Sequence, residues 1–281
     1  MKYLASFIAL SRPVNGLITA LSVAVGALCA NGSIDTIPLL MSALSAVLIN
    51  GAGNAFNDIL DLDIDRINRP ERPLPSGRIN PREAALFTFV LAACGSLLAL
   101  ALSPLHALFA TAIIALLAIY SIYLKNSTLW GNILVGIIGS SAFVYGALAA
   151  ESLGRVWIPA ALAFLFHLGR EIIKDIEDIE GDRLRGNRTL PLRWGTRRAA
   201  HFSSFIYLFL IFFTFIPFIS EIYAEAYLLC VLLVDLIVLY TLYRLYRENT
   251  ALSHDVLGRL LKIGMFLGLL AIVIGEWNRP F

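Results

Sequence analysis

The sequence is poor in charged residues, which make up only 15% of its 281 residues, whereas hydrophobic residues make up 58%. Soluble globular domains usually carry about 25% charged residues. This deficit excludes an ordinary soluble enzyme and indicates a chain that lies within a membrane. The net charge of only +2 gives no basis for nucleic-acid binding.

Cysteine and histidine are also scarce, with three and four copies. The spacing of Cys29, Cys94 and Cys230 fits neither a metal-binding motif nor a disulfide framework. The histidines are scattered, and none has a second type of ligand at helical spacing. These absences give no support to a zinc site or a disulfide scaffold, and oxygen side chains are the expected ligands of a bound metal ion.

Long apolar runs, by contrast, are abundant. A helix that spans a bilayer needs about 20 mostly apolar residues. Nine segments meet this requirement: residues 13–31, 38–57, 83–102, 105–124, 130–150, 156–174, 199–219, 225–243 and 260–277. They predict an all-α integral membrane protein in which residues 1–281 form a single membrane-embedded domain.

The basic residues predict the orientation of this domain. With nine spans, 20 of the 22 lysines and arginines fall on the side of the N-terminus, and only Arg155 and Arg279 fall on the other side. Because basic loops stay in the cytoplasm, we expect a multi-pass protein of the cell membrane with its N-terminus and charged connections in the cytoplasm.

Two charged stretches share one pattern, NDILDLDIDRINRPERPLPSG at residues 57–77 and KDIEDIEGDRLRGNRTLPLRWG at residues 174–195. Each has three aspartates at positions i, i+3 and i+7, and the second set follows the first after 117 residues: Asp58, Asp61, Asp65 and Asp175, Asp178, Asp182. Four predicted spans separate the stretches, so both face the same side. This pattern indicates a parallel internal repeat.

The concentration of acid in these stretches predicts a metal site. Together with Glu171 they hold eleven of the 20 acidic residues, and like charges at helical spacing repel each other. Oxygen ligands without histidine or cysteine suit Mg²⁺. The expected ligands are Asn57, Asp58, Asp61, Asp65, Asp175, Asp178 and Asp182. A solvated loop of mixed charge would explain the charge in general, but not the same aspartate spacing twice.

This combination favours a particular chemistry. Mg²⁺ and nearby arginines suit a diphosphate, and apolar helices suit a hydrocarbon tail. Stabilising the departing diphosphate in a water-poor site would leave an allylic cation. Further cations at span ends, Arg12, Arg170 and Lys174, suit an acceptor that is itself phosphorylated. The alternative is that they reach to the membrane interface.

On these residues the chain resembles the UbiA superfamily of intramembrane prenyltransferases. Its NxxxDxxxD motif is matched by Asn57, Asp61 and Asp65, and its DxxxD motif by Asp178 and Asp182. Further matches are Arg12-Pro13-Val14-Asn15, Arg72-Pro73-Leu74-Pro75-Ser76-Gly77, and Tyr120-Ser121 with Leu124-Lys125. The resemblance covers the whole chain.

The resemblance implies nine transmembrane helices around a central cavity, capped by Asp-rich cytoplasmic loops. It also implies two Mg²⁺ ions that bridge the aspartates to a prenyl diphosphate. The implied catalytic residues are Asp61, Asp65, Asp178, Asp182, Lys125 and Tyr120. The implied substrate-binding residues are Asn15, Asn57, Arg66, Arg72, Tyr123, Arg170, Lys174 and Arg183.

Within the superfamily, the two stretches most resemble the digeranylgeranylglyceryl phosphate synthases. Those enzymes transfer a geranylgeranyl group from geranylgeranyl diphosphate to the glycerol hydroxyl of geranylgeranylglyceryl phosphate, which yields an ether lipid. Branches that prenylate aromatic acceptors of the quinone or chlorophyll type share the same motifs and stay open as alternatives. Membrane lipid is the expected surrounding, and no obligate protein partner is expected.

Two other classes fit less well. A cation-coupled transporter would suit a parallel repeat, but the acids cluster at one face, and no predicted span has the Gly/Pro break expected at mid-membrane. A CDP-alcohol phosphotransferase would resemble D-G-x-x-A-R followed by spaced aspartates, and this string does not occur.

Overall fold

A computed structural model describes residues 2–30, 32, 34–247 and 254–279. Every regular element within this part of the chain is helical, as predicted. The helices are α1 (Lys2–Ser11), α2 (Pro13–Cys29), α3 (Thr36–Leu60), α4 (Leu62–Asn68), α5 (Pro81–Leu102), α6 (Pro104–Ile119), α7 (Trp130–Ala149), α8 (Trp157–Glu177), α9 (Ile179–Arg185), α10 (Leu190–Trp194), α11 (Thr196–Ile219), α12 (Glu225–Arg247) and α13 (His254–Trp277). A π-helical turn, Tyr120–Leu124, extends α6.

The first span is bent. Helices α1 and α2 meet at 46°, and Arg12 between them has a left-handed backbone with φ 54°. Pro13 occupies the first turn of α2, and its ring disfavours the helical conformation at the residue before it. The break therefore follows from the Arg12-Pro13 pair.

The helices define a multi-pass membrane protein. Among the described residues, seven helices are long and apolar enough to cross a membrane, and the bent α1–α2 pair makes an eighth if it counts as one span. Each predicted segment coincides with a helix, although residue 31 lies outside the described residues. Helix α8 is not among the seven, because Arg170, Glu171 and Lys174 interrupt its apolar run. The count of nine spans stays a prediction.

Both copies of the aspartate pattern have the same backbone. Helix α3 ends before Asp61 (φ −94°, ψ 6°), where the seven-residue helix α4 begins. Helix α8 ends before Asp178 (φ −89°, ψ 10°), where the seven-residue helix α9 begins. Helices α4 and α9 pack against each other. The aspartates thus lie on helix ends and short helices, whereas the resemblance implied capping loops.

Two glycines let α2 and α7 pack backbone to backbone. A Cβ atom on Gly26 would lie 2.0 Å from the carbonyl oxygen of Phe143, and one on Gly146 would lie 1.9 Å from that of Val23. Small residues at such positions allow membrane helices to approach closely. This contact fixes α2, which begins beside Arg12, against α7, which carries Asn132 in its first turn.

Candidate active site

A cavity of about 790 Å³ lies between the helices and next to both aspartate sets. Helices α2, α3, α6, α7, α8 and α13 contribute to its walls. Seven basic and three acidic residues line it: Arg12, Arg69, Arg72, Arg170, Lys174, Arg259, Lys262 and Glu71, Glu171, Glu177. The walls therefore favour an anionic ligand.

A smaller apolar pocket of about 80 Å³ adjoins this cavity. Ile18, Ser22, His167 and Met265 line both spaces, so the polar cavity meets the apolar pocket along these side chains. The rest of the pocket is formed mostly by aliphatic and aromatic residues of α8, α11, α12 and α13. The site thus combines a cationic chamber with a hydrocarbon-lined extension.

The first aspartate set is held by cations. Arg72 donates to the Oδ2 atom of Asp65 at 2.6 Å and to the Oδ1 atom of Asp58 at 3.3 Å. Arg12, at the break before α2, also pairs with Asp58. Burial raises the pKa of the Asp65 carboxyl, while the charge of Arg72 acts to lower it. Two arginines thus compensate two buried carboxylates.

Asp61 is held by Lys125 and Asn57. The Nζ atom of Lys125 pairs with the Oδ2 atom of Asp61, and the side-chain amide of Asn57 donates to the same oxygen at 2.7 Å. The π-helical turn ends at Leu124, and Gly131 leaves room for it, since a Cβ atom there would lie 2.5 Å from the Leu124 carbonyl oxygen. Burial lowers the pKa of Lys125, and Asp61 acts to raise it.

The second aspartate set is held mainly by amides. Asn132 donates to Asp175 at 2.7 Å, and Asn187 donates to Asp182 at 2.8 Å. Burial raises the pKa of the Asp182 carboxyl, and the hydrogen bond from Asn187 acts to lower it. Asp178 accepts a charged hydrogen bond at 3.2 Å from Arg69, which follows α4. Arg69 therefore links the two sets directly.

Three arginines stand between the carboxylates and the cavity. Arg12, Arg69 and Arg72 line the cavity, whereas the aspartates they contact do not. Within the described residues, no three His, Cys, Asp or Glu side chains converge closely enough to hold a metal ion. The donor set still fits Mg²⁺, because this ion commonly takes one or two carboxylates and completes its coordination with substrate phosphates and water.

A third charged group lies on α8. Glu171 is buried and accepts hydrogen bonds from Arg170 at 2.8 Å and from Lys174 at 3.1 Å. One carboxylate is thus shared by two cations that line the cavity. This group keeps both basic side chains at the wall.

Six of the expected substrate-binding and catalytic residues line the cavity: Asn15, Asn57, Arg72, Tyr120, Arg170 and Lys174. Three others, Arg66, Tyr123 and Arg183, are exposed and lie outside its lining. The side chain of Arg66 is 61% exposed and pairs with Asp63. One residue along an α-helix turns the side chain by about 100°, so Arg66 and Arg183 turn away from the face of the preceding aspartate.

Several residues of the cavity wall and of the aspartate sets' surroundings were not predicted as site residues from the sequence. Arg259 and Lys262 are three residues apart on α13, a spacing that indicates one shared helix face but not what it faces. Asn132 and Asn187 have no sequence signal besides their polarity. Arg69 reaches Asp178 across 109 residues of chain, which local spacing cannot reveal.

A membrane-embedded helical bundle with a cationic chamber, two aspartate sets and an apolar extension defines the class of intramembrane enzymes that act on anionic lipids. The chain matches the UbiA prenyltransferase family over residues 17–270 and belongs to this family. It is therefore a prenyltransferase, as predicted.

Named relatives agree with this membership. The chain is 35% identical over 271 residues to the digeranylgeranylglyceryl phosphate synthase of Methanopyrus kandleri, with 95% of this chain and 98% of that protein covered. A solved structure whose description concerns digeranylgeranylglyceryl phosphate synthase in membranes is 30% identical, with a TM-score of 0.75 over 98% of this chain and 99% of that one.

A more distant neighbour shares the fold. It is a UbiA homologue from Archaeoglobus fulgidus solved with DMAPP and Mg²⁺, with a TM-score of 0.66 at 20% identity over 96% of this chain and 99% of that one.

Proposed function

We propose that this chain transfers a geranylgeranyl group from geranylgeranyl diphosphate to the glycerol hydroxyl of geranylgeranylglyceryl phosphate, in the presence of Mg²⁺. The names of relatives that match nearly the whole chain support this substrate pair. The observation that carries the proposal is the cavity itself. Seven basic and only three acidic residues line it, and an apolar pocket adjoins it.

The diphosphate occupies the part of the cavity beside the aspartates. Asp61, Asp65, Asp178 and Asp182 would hold Mg²⁺ there, with Asn57, Asp58 and Asp175 as further oxygen donors. Arg72, Lys125 and Tyr120 bind diphosphate oxygens, because guanidinium and ammonium groups hold phosphate by charged hydrogen bonds. When bound, Mg²⁺ would supply positive charge that neutralises the leaving diphosphate.

The excess of cations supports a phosphorylated acceptor. An aromatic acid of the quinone type brings one carboxylate, whereas a glyceryl phosphate brings a phosphate group with up to two negative charges. Arg170 and Lys174 share Glu171, so their combined charge is only partly compensated. A second anion beside the diphosphate suits this arrangement.

The reaction breaks the bond between C1 of the prenyl group and the diphosphate oxygen, whose electron pair leaves with the diphosphate. The glycerol oxygen then forms a bond to C1, and its proton passes to a carboxylate of the aspartate sets, which acts as the base. The apolar pocket beside His167 holds hydrocarbon chain and keeps water away from the allylic cation.

The proposed topology has nine spans in one domain over residues 1–281, with two copies of the aspartate pattern. Helix α8 brings the number of spans to nine. Its charged end is compatible with a span because it faces the cavity rather than lipid. The surplus of lysine and arginine on the aspartate side supports a cytoplasmic location for the site and the N-terminus.

A direct assay tests this function. Purified protein in detergent receives Mg²⁺, labelled geranylgeranyl diphosphate and, in separate reactions, geranylgeranylglyceryl phosphate, 4-hydroxybenzoate or a naphthoate. We expect labelled diether from the glyceryl phosphate only, no product with Asp61→Ala, and normal product with Asp63→Asn, whose carboxylate is exposed. Product only from an aromatic acid would retain the prenyltransferase and overturn the proposed acceptor.

A further inference from the structure

The N-terminal part of α13 adds two cations to the cavity wall. Arg259 and Lys262 both line the cavity, and Gly258 beside them lines it too. A Cβ atom on Gly258 would meet nothing within 4 Å, so the wall has open space at this point. A ligand group can therefore approach the backbone and side chains of this turn.

Lys262 lies in a group of like charges. The positive charges of Arg170, Arg12 and Arg69 all repel its ammonium group. Each of these arginines already pairs with a carboxylate, namely Glu171, Asp58 and Asp178 in that order. Among the residues that the structure describes, no carboxylate forms an ion pair with Lys262.

A charged lysine in this position raises the free energy of the folded protein when no anion is bound. A half-buried ammonium group that several guanidinium groups repel is stabilised when a negative charge binds among them. A phosphate monoester is the group best suited to this position, since it carries up to two charges and accepts several hydrogen bonds. The diphosphate has its own cations, because Arg72 and Lys125 lie beside the first aspartate set.

We propose that Lys262, with Arg259 and Arg170, forms the subsite that binds the phosphate group of the acceptor. This inference rests on the proposed function, since it assigns a place to the phosphate of that acceptor. It also gives these residues a part in specificity: they distinguish a glyceryl phosphate lipid from the same lipid without its phosphate.

Kinetics with two variable substrates test the subsite. The variants are Lys262→Gln, Lys262→Arg and Gly258→Leu, which fills the open wall without a change in charge. Arg197→Gln is the matched control, since Arg197 is exposed and outside the cavity lining. We expect Lys262→Gln to raise KM for the phosphorylated acceptor about tenfold or more, to change KM for the diphosphate less than about twofold, and to lose preference for the phosphorylated acceptor. Lys262→Arg keeps the positive charge and should retain most of the wild-type affinity for the phosphorylated acceptor.

A binding measurement separates this inference from the proposed function. The thermal midpoint of the wild-type protein and of each variant is measured with geranylgeranylglyceryl phosphate and with its dephosphorylated form. Stabilisation that requires both the phosphate and Lys262 supports the subsite even if no product forms, in which case the proposed function alone fails. The inference would be overturned if Lys262→Gln and Gly258→Leu both kept the wild-type KM for the acceptor, or if both kept the wild-type shift of the thermal midpoint with the acceptor. An equal rise in both KM values would also overturn it, since Lys262 would then serve the diphosphate.

Discussion

The two aspartate sets have the same backbone but different partners. In the first set, Asp58, Asp61 and Asp65 all contact arginine or lysine. In the second set, Asp175 and Asp182 accept hydrogen bonds from asparagine, and among the side chains that the structure describes Asp178 contacts an arginine, Arg69. The repeat therefore conserves the position of the carboxylates within the chain but not the means by which they are neutralised.

This difference gives the carboxylates of the two sets different electrostatic surroundings. A neutral amide satisfies a carboxylate oxygen but leaves its charge in place, whereas a guanidinium group cancels most of the charge. The described partners of the second set include fewer cations, so its carboxylates would gain more from a bound divalent cation. The first set lies beside Arg12, Arg72 and Lys125, the cations that the proposed function assigns to the diphosphate site.

Loss of the middle carboxylate should have the largest effect. We expect Asp61→Asn and Asp178→Asn each to lower kcat/KM by roughly 10³-fold, because each removes a charge that organises the diphosphate site without a change in side-chain size. Initial rates over a range of Mg²⁺ concentrations provide the measurement.

The exposed acids Asp63 and Glu180, one in each copy, give matched controls. Asp63→Asn and Glu180→Gln should retain activity within about twofold. A loss in the controls equal to that in Asp61→Asn would mean that overall charge, rather than position, governs the rate.

Removal of Arg72 should make the first set resemble the second. In Arg72→Gln, Asp58 and Asp65 lose a shared cation, so we expect kcat/KM to fall about 10²-fold and the stabilisation by Mg²⁺ to increase. Thermal midpoints with and without Mg²⁺, measured beside the wild type, check the second effect. An unchanged response to Mg²⁺ would show that Arg72 does not compete with the metal for these carboxylates.

The amides of the second set should have a smaller effect, mainly on stability. Asn187→Ala leaves the buried Asp182 without this donor, and Asn132→Ala does the same for Asp175. Each should cost about 1–3 kcal/mol without metal. Denaturation in detergent measures the loss, and added Mg²⁺ should recover much of it. Equal losses with and without Mg²⁺ would contradict a metal role for these two aspartates.

The smallest effect is expected at the arginines that follow each set. Arg66 and Arg183 are exposed and lie outside the cavity lining. Arg66→Gln and Arg183→Gln should change kcat/KM less than about threefold, well below the effect of Arg72→Gln. A tenfold loss in either would restore the substrate-binding role that the family resemblance implies.

The sequence was sufficient to locate the long helices, because each apolar run is long and the bilayer thickness limits its length. It also revealed the aspartate repeat, since both copies keep the same helical spacing. It did not predict α1 or the short helices α4, α9 and α10, which have no long apolar run. The backbone breaks at Asp61 and Asp178 were not predicted, because that spacing continues smoothly through them.

Pairs that join distant parts of the chain were beyond reach of the sequence. Arg12 and Asp58 are 46 residues apart, and Lys125 and Asp61 are 64 apart. Such contacts depend on how the helices pack, which depends in part on glycines such as Gly26. The basic residues of α13 contributed only to the predicted orientation of the domain. Their place in the cavity wall was not predicted, because helical spacing does not reveal which face of a helix meets a cavity.

The cations beside the first aspartate set have a thermodynamic consequence for the proposed function. Arg12, Arg72 and Lys125 neutralise carboxylates in this structure, and the same charges are available to a diphosphate once Mg²⁺ takes over those carboxylates. Metal and diphosphate would then bind with positive cooperativity. By linkage, the factor by which one ligand raises the affinity of the other must be the same in both directions. Each ligand alone would bind weakly, and occupancy would rise steeply only when both are present.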